Sequence, residues 1–92
     1  MDLDSTLIGE ILDAVDAGFD EQVRFTQDLV EYPSVRGAEH TAQEYMHNAM
    51  RDRGLGVDRF AIDVDSIKHH PGFSPVAVDY SNAINVVGTH TP

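Results

Sequence analysis

The segment Ile84-Asn85-Val86-Val87-Gly88-Thr89 has apolar residues on both sides of an extended chain. This pattern is typical of a strand that is covered on both faces. Such a strand needs neighbouring strands and covering helices, yet only His90-Thr91-Pro92 follow it. We therefore expect the chain to be the beginning of a larger domain, with open sheet edges that expose backbone donors and acceptors.

Composition excludes several classes of protein. Of 92 residues, 16 are Asp or Glu and 6 are Lys or Arg, which gives a formal charge of -10, and there is no cysteine. Disulfide staples and cysteine zinc ribbons are therefore excluded, and nucleic acid and anionic membranes are disfavoured as partners. No apolar run approaches the roughly 18 residues of a membrane span, and the acidic start does not resemble a secretory signal. These features predict a cytoplasmic protein.

Most of the acidity belongs to the first 31 residues, which hold nine acids and one base. Apolar residues recur there at three- and four-residue spacing, which predicts one amphipathic helix of about 25 residues with a solvated acidic face. Gly18 is its weak point, where we expect the helix to bend or break, and Pro33 marks its end. The apolar stripe consists of Ile8, Ile11, Leu12, Val15, Phe19, Val23 and Val30.

The spacing of apolar residues changes in the rest of the chain. A second helix is predicted over 38–53, with Gly54 as a left-handed cap. Alternating residues predict a strand over 57–64, followed by a single helical turn over 65–69 and an irregular loop over 71–75. Residues 76–80 are compatible with a short strand, and 84–89 form the most clearly predicted one. The fold class is thus α/β, with two helices and then two or three strands of a central sheet.

Histidines and carboxylates are the first candidates for a metal site. His40, Glu44 and His47 are spaced i, i+4, i+7, so they share one helix face. That face lies opposite the predicted apolar side, formed by Ala42, Met46, Ala49 and Met50, and it also carries Arg51, which would repel a cation. We therefore predict a solvated surface there and not a zinc site.

The other candidates are weaker. Asp63-Val64-Asp65 resembles the strand-end pair of phosphotransferases, but it lacks their further motifs. His69 and His70 favour a loop or interface role, and His90 is isolated beyond the last strand. Ser34 lacks the Gly-x-Ser-x-Gly context of a nucleophile, so a turn or capping role is predicted.

The segment Phe25–Glu39, read in order with Arg53-Gly54-Leu55, the strand from Val57 and Asn85–Thr89, resembles the opening of a known enzyme family. These are the zinc-dependent deacylases and exopeptidases that include acetylornithine deacetylase, succinyl-diaminopimelate desuccinylase and glutamate carboxypeptidase. His70–Pro75 is similar to the acetylornithine deacetylase branch and to related formamide deacylases. The resemblance covers about residues 8 to 90.

This resemblance implies that residues 1–92 are an N-terminal fragment of a zinc-exopeptidase-like catalytic domain, with no second domain present. The parent would hydrolyse N-acetyl, N-formyl or N-succinyl amino acids or related amides. Two zinc ions would activate its water and a glutamate would act as general base. The first ligands would follow in a His-x-Asp motif after the next strand, so no catalytic or metal residue is assigned to 1–92. The chain alone is expected to be inactive, with the rest of the catalytic domain, or a second copy through the strand edges, as partner. The alternative is a non-catalytic binding or oligomerisation module derived from the family.

Overall fold

The computed structural model describes residues 4–92. The chain divides into two compact units, a helical unit that ends at Glu31 and a mixed unit from Tyr32 to Pro92. None of residues 4–92 is buried from solvent. Each unit is described below by itself.

The helical unit contains α1, Ser5–Ala17, and α2, Phe19–Val30. Asp4 caps α1 by accepting a hydrogen bond from the Leu7 N–H at 2.7 Å. The break falls at Gly18, as the sequence predicted, and divides the expected single helix into two. Gly18 still donates to the Ala14 carbonyl, and its own carbonyl accepts from Gln22. The interruption is therefore limited to one residue.

The apolar stripe of the helical unit is exposed. Its seven residues, from Ile8 to Val30, are between 38% and 77% exposed. Two consecutive helices joined by a single residue provide no second layer that could cover this stripe. The stripe is thus apolar surface that the helical unit cannot bury by itself.

The mixed unit begins with α3, His40–Asp52, which starts two residues later than predicted. Its end confirms the predicted stop, because Gly54 has a φ of 83°. The Gly54 N–H donates to the Arg51 carbonyl at 2.9 Å and the Leu55 N–H donates to the Met50 carbonyl at 3.2 Å. These two bonds form a Schellman motif, in which a residue without a Cβ is strongly favoured at the left-handed position.

Two antiparallel strands follow, β1 from Gly56 to Ala61 and β2 from Ile84 to Thr89. The strand predicted over 57–64 thus begins one residue earlier and ends at Ala61. Val57 pairs with Gly88, and Ala61 pairs with Ile84. The coarse prediction of an α/β fold is confirmed as a small domain of helices and a two-stranded sheet.

One face of this sheet lies against α3. Gln43 Nε2 donates to the Ile84 carbonyl at 2.9 Å, and Glu44 forms an ion pair with Arg59 of β1. The opposite face carries Phe60 and Val87, which are 47% and 48% exposed. The sequence predicted a β2 covered on both faces, but within the mixed unit only one face is covered.

The connection between the strands contains a short helical turn, α4, from Val64 to Ile67. It confirms the predicted single turn, one residue earlier than expected, because Asp63 caps it by accepting from the Ser66 N–H. The prediction of a short strand over 76–80 is wrong, since the chain bends there without pairing to another strand. The backbone instead turns at 79–83, where Ser81 binds Asp79 and the Ala83 N–H donates to the Tyr80 carbonyl. Across residues 4–92, no helix has the length and apolar character that crossing a membrane requires.

Candidate functional site

Two adjoining depressions on the mixed unit form the candidate site. The first, here called the polar depression, has a volume of about 250 Å³. The second, the apolar depression, has a volume of about 560 Å³. Ile62 and Tyr80 line both, so the two depressions share a wall.

The polar depression lies where the beginning of α3 meets the beginning of β2. Gln43 of α3 and Asn85 of β2 line it from two sides. The bond from Gln43 Nε2 to the Ile84 carbonyl joins these two elements. The positions of its lining groups are therefore set by α3 packing on the sheet.

Two opposite charges line this depression without pairing with each other. The Glu39 carboxylate accepts the Gly37 N–H, with its two oxygens at 3.0 and 3.1 Å from that nitrogen. Gly37 has a φ of 89°, which turns its N–H toward the carboxylate without the steric cost of a Cβ. The Arg36 guanidinium has no hydrogen bond or ion pair with any residue among 4–92. A fixed anion and an unpaired cation thus line the same depression.

The apolar depression is lined by the loop after α4. Ile67, Phe73 and Val76 are among its apolar lining residues. His70 also lines it, and its Nδ1 accepts the Gly72 N–H at 2.9 Å. This bond requires an unprotonated Nδ1, so the neutral ring carries its proton on Nε2.

The structure corrects the prediction for the helix face of His40, Glu44 and His47. All three residues are half-buried, and Glu44, whose side chain stays 40% exposed, forms an ion pair with Arg59 of β1. The physical reason is that α3 lies across both strands, so its contact face is wider than the stripe of apolar residues indicates. The His40 Nδ1 atom is buried and has no hydrogen-bond partner.

The remaining sequence candidates lie apart in local roles. Asp63 caps α4, and Asp65 pairs with Lys68 at 3.2 Å. Ser34, His69 and His90 are exposed in loops or beyond β2. Within residues 4–92, no group of three or more histidine and carboxylate side chains converges in a way that could hold a metal ion.

Asp79 stabilises the turn that carries Tyr80. The Ser81 N–H donates to its Oδ1 at 2.9 Å and the Ser81 hydroxyl donates to its Oδ2 at 3.0 Å. These bonds, the backbone one first, lower the pKa of the Asp79 carboxyl below its ordinary value.

A pH titration tests this turn. A depressed carboxylate pKa stabilises the folded turn above the ordinary aspartate pKa of about 3.9, and the stabilisation is lost as the pH falls through the lower folded value. We expect the ¹³C carboxyl resonance of Asp79 to titrate at lower pH than a peptide aspartate. Ser81→Ala should move that midpoint upward; an unchanged midpoint in this variant would contradict the assignment.

Sequence reasoning missed Arg36, Tyr80 and Asn85 as lining residues. They come from three separate segments, and no spacing rule connects them. The only available signal was Gly37 beside Arg36 and Glu39, which indicated a turn and not a site. Neither a scan against protein-family models nor a search of curated proteins matched this sequence.

Proposed function

We propose that this chain is the N-terminal structural portion of a zinc-dependent deacylase or exopeptidase. The parent would hydrolyse N-acetyl, N-formyl or N-succinyl amino acids or related amides. The 92-residue chain would supply outer helices and first strands and would be inactive alone. The observation that carries this proposal is the absence of any buried residue among 4–92.

The exposed apolar surfaces explain why that observation matters. The stripe of α1 and α2 and the free sheet face with Phe60 and Val87 remain in water. Burial of apolar area contributes about 25 cal/mol per Å², so leaving such surfaces exposed sacrifices much of the free energy that folding needs. A larger domain that covers them would recover this stabilisation. The order of helices followed by strands is also the order that the family resemblance implies.

Zinc ligands do not fit the residues described in this chain. His40, Glu44 and His47 do not converge, and His69 and His70 have no third ligand among residues 4–92. The proposal therefore places the metal ligands and the general base in another part of the parent. No chemical step is assigned to residues of this chain.

An activity assay tests the inert character of the chain. We expect the purified 92-residue polypeptide, supplied with zinc, to give no turnover above background on N-acetyl, N-formyl and N-succinyl amino acids. Zinc-dependent hydrolysis that disappears with a chelator would refute this. A purified authentic deacylase of this class serves as the positive control.

The coding sequence after Pro92 tests whether the chain belongs to a longer parent enzyme. We expect it to continue into a further strand followed by His-x-Asp. A stop codon there would contradict the parent enzyme and favour a self-associating module. Unpaired outer edges of β1 and β2 within the described sheet support that second candidate. Sedimentation velocity distinguishes it, because a module of this kind forms oligomers.

A further inference from the structure

We propose that the polar and apolar depressions together bind a small zwitterion, an α-amino acid with an apolar side chain and a free ammonium group. The carboxylate would contact Arg36 and the ammonium would contact Glu39. The side chain would occupy the apolar depression beside Phe73. This site is independent of the enzyme family proposed above.

The two charged groups select the ligand class. Arg36 and Glu39 line one depression, yet they form no ion pair with each other. Each keeps capacity for a ligand, because the guanidinium offers its donors and the carboxylate, which accepts only the Gly37 N–H, has lone pairs left. A ligand with a single charge would satisfy one group and be repelled by the other. A zwitterion satisfies both.

Neutral polar groups extend this match. Tyr80 and Asn85 also line this depression, and neither the Tyr80 hydroxyl nor the Asn85 side-chain amide has a hydrogen-bond partner among residues 4–92. The phenol hydroxyl of Tyr80 is a donor of the kind that a ligand carboxylate accepts. A guanidinium that binds a carboxylate does so through charge-assisted hydrogen bonds, which are stronger than neutral ones.

The wall that the two depressions share, formed by Ile62 and Tyr80, indicates that the side chain of the ligand is apolar. Tyr80 and Ile62 separate the charged groups from Ile67, Phe73 and Val76. A ligand held by its charged end therefore has its side chain next to an apolar surface. Ligand sites commonly combine a few polar groups with a larger apolar lining, and the volumes here lie in the range of small-molecule sites.

The ligand differs from the substrates that the family resemblance implies. An N-acylated amino acid has no ammonium group and leaves Glu39 without a cationic partner. The site should thus discriminate against it. The depressions are open to solvent, so we expect modest affinity, with a dissociation constant of about 1 mM for L-phenylalanine.

A crossed titration of the full chain tests both charges. The probes are L-phenylalanine, N-acetyl-L-phenylalanine, which lacks the ammonium, and L-phenylalaninamide, which lacks the carboxylate. Amide resonances of Gly37, Gly72 and Phe73 and the side-chain amides of Gln43 and Asn85 should shift on binding. Each modified probe should bind about fivefold more weakly than L-phenylalanine, the size of one solvent-exposed charge interaction.

Variants assign each charge. Arg36→Gln should weaken binding of L-phenylalanine and of the N-acetyl compound but should strengthen binding of the amide slightly, because the guanidinium no longer repels its ammonium. Glu39→Gln should weaken binding of L-phenylalanine and of the amide but should strengthen binding of the N-acetyl compound slightly, because the Glu39 carboxylate no longer repels the carboxylate of this probe. Arg51→Gln, which removes a charge outside both depressions, is the matched control and should change none of the three.

Three results would overturn the proposal. They are equal affinity for the three probes, shifts confined to the helical unit, or no saturable shift up to about 20 mM ligand. The dispersion of each variant spectrum reports whether that variant is folded. If a variant is unfolded, the comparison of the three probes on the unmodified chain still decides whether the site recognises both charges of the ligand.

Discussion

Replacing Gly88 with valine should lower the free energy of unfolding of the mixed unit by about 1 kcal/mol, the lower end of the cost of overpacking, because the obstructing side chains are flexible. A Cβ added at Gly88 would lie 2.8 Å from Met50 Sδ and 3.0 Å from Leu55 Cδ1. Gly88 is therefore a point where β2 lies close to the side chain of Met50 at the end of α3. The larger side chain would push these two side chains away, which more than offsets the higher strand propensity of valine.

The measurement uses the tyrosines. All three, Tyr32, Tyr45 and Tyr80, lie in the mixed unit, and the protein has no tryptophan. The tyrosine band of the near-ultraviolet circular dichroism spectrum therefore reports the unfolding of this unit in urea, separately from the bands of the phenylalanines. The rings of Tyr32 and Tyr45, with centroids 4.9 Å apart, contribute a signal that depends on the fold.

A double-mutant cycle separates steric overlap from other effects. Met50→Ala removes the nearest obstructing atoms, so Gly88→Val should cost less in that background than in the unmodified chain. Gly56→Ala in β1 is the control, because its Cβ would meet only the Thr89 carbonyl at an ordinary 3.7 Å. The same loss in both backgrounds would show that Met50 is not the obstruction.

Replacing Gly54 with alanine should destabilise the same unit by about 1 kcal/mol, for a different reason. Its surroundings leave space for a Cβ, since nothing lies within 4 Å. The cost comes instead from the φ of 83°, which an L-residue with a Cβ adopts only with strain. The Schellman bonds to Arg51 and Met50 hold the backbone in that conformation.

Asparagine at this position provides the test of mechanism. Asn tolerates the left-handed conformation better than alanine, so Gly54→Asn should lose clearly less stability in the same urea experiment. Gly56→Ala, whose φ is not positive, again provides the reference. Equal losses for Asn and Ala at position 54 would show that the conformation is not the cause.

Local features of the fold were predictable from the sequence. The break at Gly18 and the cap at Gly54 depend on interactions within a few residues, and the strand at 84–89 was visible as a short run of apolar residues. A glycine inside a helix weakens the helix at that point, and a glycine just past a helix end favours positive φ, as Gly54 does. The prediction over 76–80 failed because the Asp79 and Ser81 side chains compete with strand pairing for the backbone.

The candidate site could not be predicted in the same way. Arg36, Glu39 and Asn85 come together because α3 packs across a sheet whose strands are joined by a long connection. The sequence periodicity assigned Glu44 to solvent, whereas the orientation of α3 brings it to Arg59. Contacts of this kind depend on how elements pack, and periodicity within one element carries no such information.

By itself, the sequence determined the type and limits of most elements, the acidity of the first helices and the excess of apolar surface over what two helices can cover. Only the tertiary structure decided which sheet face α3 covers, which charges pair and which remain free in the polar depression. The physical reason is range: capping, turns and helix propensity act over three or four residues, whereas side-chain pairing across elements depends on packing between residues far apart in the chain.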